Sequence, residues 1–153
     1  MSEFRFRAAA ALDLRRRQET EAGTALARAE AELRGAEQDA AQADTSRHAA
    51  QQHLLSIERH GSDAATLMWH RNWIVRLSND LAERRRQVTV LAEAARQAEQ
   101  RWRQARQRRL ALERMQERAL RRFTHEQLRQ ELKVIDELAR LRYVMPDAWR
   151  EET

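Results

Sequence analysis

The chain has 153 residues, 35% charged and 42% hydrophobic, with three glycines, one proline and no cysteine. Its mean hydropathy is −0.88. These values exclude a layered globule, a disulfide scaffold and a thiolate metal site, and fit long solvated helices.

The first seventeen residues lack the apolar core of a secretory signal. No run of the chain approaches the roughly 20 apolar residues that span a bilayer. A soluble, cytoplasmic protein with no direct membrane insertion is expected. Helix one is predicted from about Phe4 to about Arg59. Within it Leu26, Leu33, Ala40, Arg47 and Leu54 recur every seven residues, interleaved with Ala22, Ala29, Ala36, Ala43, Ala50 and Ile57. Apolar residues alternating three and four apart hold one narrow stripe on a single side of a helix, and that stripe demands a partner helix. Gly23 and Gly35 lie inside this helix, each costing about 1 kcal/mol against alanine.

The break is His60-Gly61-Ser62-Asp63, where Gly61 suits a left-handed C-terminal cap and Ser62 or Asp63 the next N-cap. Helix two is predicted over about 64–142, with Pro146 beyond it and residues 143–153 forming a flexible tail. Its seam repeats the double series. One member is Ile74, Leu81, Val88, Ala95, Trp102, Arg109, Gln116 and Phe123; the other is Leu77, Arg84, Leu91, Ala98, Ala105, Leu112 and Ala119. After Phe123 the apolar positions Leu128, Leu132, Ile135 and Ala139 resume out of phase, a stutter. The expected fold is all-α: a long antiparallel two-helix coiled-coil hairpin, its second helix longer than its first, in a single domain over 1–142.

Folding about Gly61 pairs residues whose numbers sum to roughly 127, from a short loop and equal helical rise. That register sets Ala22 against Ala105, Ala29 against Ala98, Leu26 against Trp102 and Leu54 against Ile74. Arg47, Arg84 and Arg109 interrupt the seam and are expected to snorkel. Leu128, Leu132, Ile135, Leu138 and Leu141 then have no partner in a two-helix hairpin. Either a frayed tail or an interaction element follows from that overhang.

The charge is uneven. Residues 76–122 carry fourteen basic against six acidic residues, a balance of +8 in a chain whose net charge is +5, and apart from Lys133 every basic residue is arginine. A solvated face, an acidic protein partner and nucleic acid are the three readings of that excess. Signs of catalysis are missing. Three scattered glycines build no phosphate loop, and the five histidines form no pair three or four apart on a helix. No enzyme, cofactor or metal is expected. Trp69 and Trp73, one turn apart near the hairpin loop, serve either tip packing or partner docking. Interleaved aromatics and arginines raise single-stranded nucleic acid, but the sheet or groove platform for stacking is absent.

Phe4-Arg5-Phe6-Arg7 followed by Leu12-Asp13-Leu14-Arg15-Arg16-Arg17-Gln18-Glu19 resembles the start of the flagellar export protein FliJ. The pattern Glu117-Arg118, Glu126, Arg129, Glu131, Lys133, Ile135, Asp136-Glu137 and Ala139 is similar to that family's close. The related stalk proteins of injectisome-type secretion share the architecture.

The resemblance implies a non-enzymatic stalk of the flagellar type III export apparatus. Such a protein is peripheral at the cytoplasmic face of the inner membrane through its partners. Those are a hexameric export ATPase, an export-gate membrane protein and export chaperones, with no nucleic acid; the chain alone would be a monomer. By position the ATPase-binding end would carry Phe4, Phe6, Arg15, Arg16, Arg17, Arg118, Phe123, Leu128, Arg129, Leu132 and Ile135. The gate-facing tip would carry Trp69, Trp73 and Leu77. The two tryptophans stand where smaller aromatics are more usual in the family.

Overall fold

The computed structural model describes residues 3–144; residues 145–153, most of the expected tail, lie outside the described residues, as does Pro146. Two helices account for almost all of the described chain: α1, Ala9–His60, and α2, Ala64–Val144. The fold is the helical hairpin expected, with a second helix of 81 residues against 52 in the first.

Helix α1 begins five residues later than the periodicity suggested. Residues 3–6 lie outside any helix, Phe4, Phe6 and Ala8 are half-buried, and Arg5 and Arg7 are exposed. Residues two apart fall on opposite sides of a helix but on the same side of an extended chain. The alternation Phe-Arg-Phe-Arg therefore favours the extended form, which turns both rings inward. The helix opens with the Ala9 amide donating to the Phe6 carbonyl (3.2 Å) and that of Leu12 to Ala8 (2.9 Å). At the other end Tyr143 and Val144 continue α2 past the expected stop at 142.

The chain divides into two compact units, one of residues 17–106 and one built from residues 1–16 and 107–153. In the first, α1 and α2 run antiparallel around the loop. Asp39 meets Arg84, Asp44 meets Arg85 and Glu58 meets Arg71; the His53 ring lies on that of His70. These pairs sum to 123–129, astride the expected register. The members of the two heptad series in this unit are all buried or half-buried: Ala43, Leu81 and Ala95 are buried, and Ala29, Leu33, Ala36, Val88 and Leu91 are half-buried beside them. The Trp102 indole packs beside Gly23, close enough that a Cβ added there would touch the ring edge at an ordinary contact distance of 3.5 Å. Arg106 stacks on the outer face of the same ring, 5.4 Å from its centroid.

The loop has the caps its residues suggest. Gly61 takes φ +82°, the left-handed conformation glycine adopts without steric cost. His60 Nδ1 lies 2.7 Å from the Ser56 carbonyl, closing the last turn of α1. Asp63 caps α2. Its carboxylate accepts from the Thr66 hydroxyl and also from the Thr66 amide and Ser62 hydroxyl, which hold its pKa below the usual carboxylate value.

In the second unit the chain start and the first turns of α1 lie antiparallel to α2. Leu12 is buried, the Phe4 and Phe123 rings meet at 5.5 Å, and Arg16 bonds Glu113 at 3.3 Å. The arginines that interrupt the seam turn their heads to carboxylates. Arg47 reaches Asp44 at 3.1 Å and Arg109 reaches Glu113 at 2.5 Å. Arg84 holds Asp80 at 2.9 Å, with Asp39 at 3.8 Å, and its pKa is raised chiefly by the Asp80 hydrogen bond. Such exposed pairs add little stability individually, but the stems cover the seam. The Arg47 Nε is buried with no hydrogen-bond partner, a polar interruption of the kind that specifies register at a cost in stability.

Candidate functional site

Beside the loop, in the unit of residues 17–106, Trp69 and Trp73 stack one turn apart, 6.2 Å between centroids with planes 11° from parallel. Both are open to solvent, 62% and 40% exposed, and Met68 beside them is exposed as well. Trp69 also meets the His70 ring edge-on at 4.9 Å. A shallow groove runs between Trp69, Asn72, Trp73 and Arg76. Leu77, expected to share this patch, is half-buried at a seam position. A second groove is lined by Leu54, Leu55, Ile74 and Val75 with Gln51, Gln52 and Arg71. Leu55 and Val75 lie off the heptad positions, so the seam pattern did not single them out, yet both are exposed apolar groups.

In the other unit, α2 runs on with every residue from 128 to 143 exposed. Leu128, Leu132, Val134, Ile135, Leu138, Ala139 and Leu141 fall within an arc of roughly 180° at 100° per residue. Glu131 and Arg142 are the charged residues inside that arc. The opposite side carries Glu126, Arg129, Lys133, Asp136, Glu137 and Arg140, both signs mixed. This apolar arc is about twice the width of the two-residue seam that a single partner helix covers. The mixed polar side lacks the excess of cations typical of helices lying on anionic membranes.

The remaining residues of the expected ATPase-binding end are distributed as follows. Phe4 and Phe123 are in contact, Phe6 is half-buried and lines a groove with Arg118, and Arg129 is exposed on the polar side. Arg15 is half-buried, and Arg16 is exposed and held by Asp13 and Glu113. Arg17 belongs to the residues 17–106. Glu113, between Arg109 and Arg16, has its pKa lowered mainly by the hydrogen bond from Arg109.

Among the described residues no group of three or more His, Asp or Glu side chains is placed to hold a metal ion, and no helix is long and apolar enough to cross a membrane. His53 and His70, seventeen positions apart in sequence, come together across the helices, a pairing that a search for i, i+3 and i, i+4 spacings passes over.

Among the described residues the geometry is that of a charged helical pair with exposed apolar side chains beside the loop and along the end of α2. Residues 8–146 match the family model of the flagellar FliJ protein. The chain belongs to the FliJ family. That match covers both helices and begins after Phe4 and Phe6. The FliJ-family chain also shares its fold with a Chlamydia trachomatis protein described as a homologue of YscO. The two align at a TM-score of 0.60 with 15% sequence identity, over 94% of this chain and 97% of the other. No curated protein sequence is a significant match to this FliJ-family chain.

Proposed function

We propose that the chain is a non-enzymatic stalk and coupling protein of the flagellar type III export apparatus. It docks in the hexameric export ATPase and links it to the membrane export gate, supporting protein export and flagellum assembly. It acts in the cytoplasm, peripheral to the inner membrane through those partners, and meets export chaperones there. The observation that carries this reading is the wide apolar arc of α2 after Phe123, exposed along sixteen consecutive residues in a chain whose family is flagellar. A monomer in water has no reason to keep such an arc unless a partner covers it.

In this reading Leu128, Leu132 and Ile135, with Phe4, Phe6, Phe123 and the arginines Arg15, Arg16, Arg17, Arg118 and Arg129, form the ATPase-binding end. Trp69, Trp73 and Leu77 face the gate, and the exposed tryptophan pair supports that assignment because such rings anchor interfaces. In this reading the heptad seam is the stiffening element of the stalk.

The test is co-purification of the full chain with the hexameric export ATPase, using a variant in which Leu128, Leu132 and Ile135 are all changed to Asp. Helix content by circular dichroism should be close to wild type, since all three side chains are exposed, while ATPase recovery should be lost. Undiminished recovery by the folded variant would overturn the assignment. The injectisome stalk is the second reading, favoured by the fold shared with the YscO homologue; the genes flanking this one separate the two.

A further inference from the structure

On one flank of α2, in the unit that holds the chain start, an open groove of about 470 Å³ is lined by Arg5, Phe6, Arg7, Met115, Arg118, Ala119 and Arg122. Met115, Arg118, Ala119 and Arg122 share one face of α2 at helical spacing, and the non-helical chain start brings Arg5, Phe6 and Arg7 alongside it. Four guanidinium groups thus surround a floor of one phenylalanine, one alanine and one methionine that is 48% exposed. No carboxylate is among the lining residues. None of the four arginines has an ion pair among the described residues; the Arg118 Nε donates to the Arg114 carbonyl at 3.3 Å.

The other flank of the same helix is a contrast. Position 113 lies roughly 140° round the helix from position 118. There Glu113 is already clasped by Arg109 and Arg16, so the positive charge is answered internally. The groove flank is left with its charge unanswered, and a concave patch of one sign draws and orients the opposite charge. Guanidinium groups pair carboxylates in bidentate fashion, and an exposed methionine adapts to whichever apolar side chain is laid on it.

We propose that this groove takes an acidic peptide segment of a partner protein, its carboxylates paired to Arg5, Arg7, Arg118 and Arg122 and a central apolar side chain seated on Phe6, Met115 and Ala119. The source of the segment rests on the reading of this unit as the ATPase-binding end; its chemistry rests on the groove alone. The apolar floor favours a peptide over inorganic phosphate. The clustering of the arginines about one short groove, instead of along a track, disfavours a nucleic-acid backbone.

The probe is a short fluorescein-labelled peptide of glutamates flanking a central leucine pair, titrated with the full chain by fluorescence anisotropy. Saturable binding is expected. The Arg118→Glu/Arg122→Glu variant should bind at least about tenfold more weakly, a loss readily resolved in a dissociation constant. Arg118→Gln/Arg122→Gln, which keeps good helix formers, should fall between. Arg28→Glu/Arg101→Glu, with the same change in net charge at two exposed positions elsewhere, should bind as wild type. Replacing the leucine pair of the probe by serines should weaken binding as well.

Equal loss in the Arg28/Arg101 control would mean that net charge alone attracts the probe and would overturn the proposal. Equal affinity for the serine probe with displacement by phosphate or heparin would overturn it too, in favour of a polyanion site. Co-purification with the ATPase, run on the same variants, separates the two readings. Retained ATPase with no peptide bound at Arg118 and Arg122 removes the groove proposal and leaves the docking reading standing. Peptide binding that depends on the arginines, with no ATPase recovered, supports the groove and removes its assigned source.

Discussion

Changing Leu81 to alanine separates the covered seam from the uncovered arc of α2. Leu81 is 2% exposed at a seam position between the helices, whereas Leu132 is 60% exposed on the same helix. The exchange removes three carbons, so at about 0.8 kcal/mol per buried methylene the transfer loss at Leu81 is about 2.4 kcal/mol. A cavity adds to that in a closed core, but a two-helix seam is open along both edges and lets neighbours and water close the gap. The expected loss is therefore about 2–3 kcal/mol, the low end of the Leu→Ala range. Leu132→Ala removes the same atoms from water-exposed helix and should change stability by less than about 0.5 kcal/mol. Urea titration of both variants beside wild type, followed by far-ultraviolet circular dichroism at fixed protein concentration, gives the comparison. Two outcomes would refute the reasoning. A loss below about 1 kcal/mol at Leu81 would mean that the seam contributes far less than its burial indicates. An equal loss at Leu132 would mean that the arc is already covered in the isolated protein.

The glycines make a paired prediction. Gly35→Ala adds a Cβ with no atom within 4 Å and should raise stability by about 0.5–1 kcal/mol; Gly61→Ala forces a side chain into φ +82° and should lower it by about 1 kcal/mol. Thermal melts of the two variants should move in opposite directions, and a shared direction would contradict the loop geometry. A pH titration of stability tests the Glu113 clasp. Its folded pKa lies below the ordinary value of 4.5, so its contribution is complete above that value and disappears as the pH falls through the lower folded one. Glu113→Gln should flatten the wild-type loss in that acidic window and leave the slope between pH 6 and 8 unchanged, at about zero from this group.

Much of this fold is legible in the sequence because one period runs through it. The double heptad series named the half-buried positions from Ala22 to Ile57 and from Ile74 to Phe123, and the Gly61 break set a register that the Asp39–Arg84 and Glu58–Arg71 pairs straddle. Failures came where the period changes or is absent. Phe4 and Phe6 follow a two-residue alternation, so extending the helical pattern back to them placed the start of α1 too early. The Arg5, Arg7, Arg118 and Arg122 groove was out of reach for a related reason. It exists only because the non-helical chain start lies beside a helix more than a hundred positions later, and no local pattern encodes that approach.

The stutter after Phe123 ties these points to function. Up to Phe123 the heptad residues of α2 face a partner within the chain, and burial follows the seven-residue series. Past it the apolar residues continue in a changed phase and spread over about half the helix circumference, wider than any single neighbouring helix covers. Each of those leucines is in water, so none of them contributes appreciably to the stability of the isolated chain. Their exposure on an intact helix, next to a groove whose four arginines have no carboxylate partner among the described residues, supports the proposal that a partner covers this end. The two features differ in kind. The apolar arc offers area that salt does not screen, whereas the arginine groove offers steering that salt weakens. Loss of the groove should therefore slow association with the partner and make its rate less salt-dependent, while loss of the arc should shorten the lifetime of the complex.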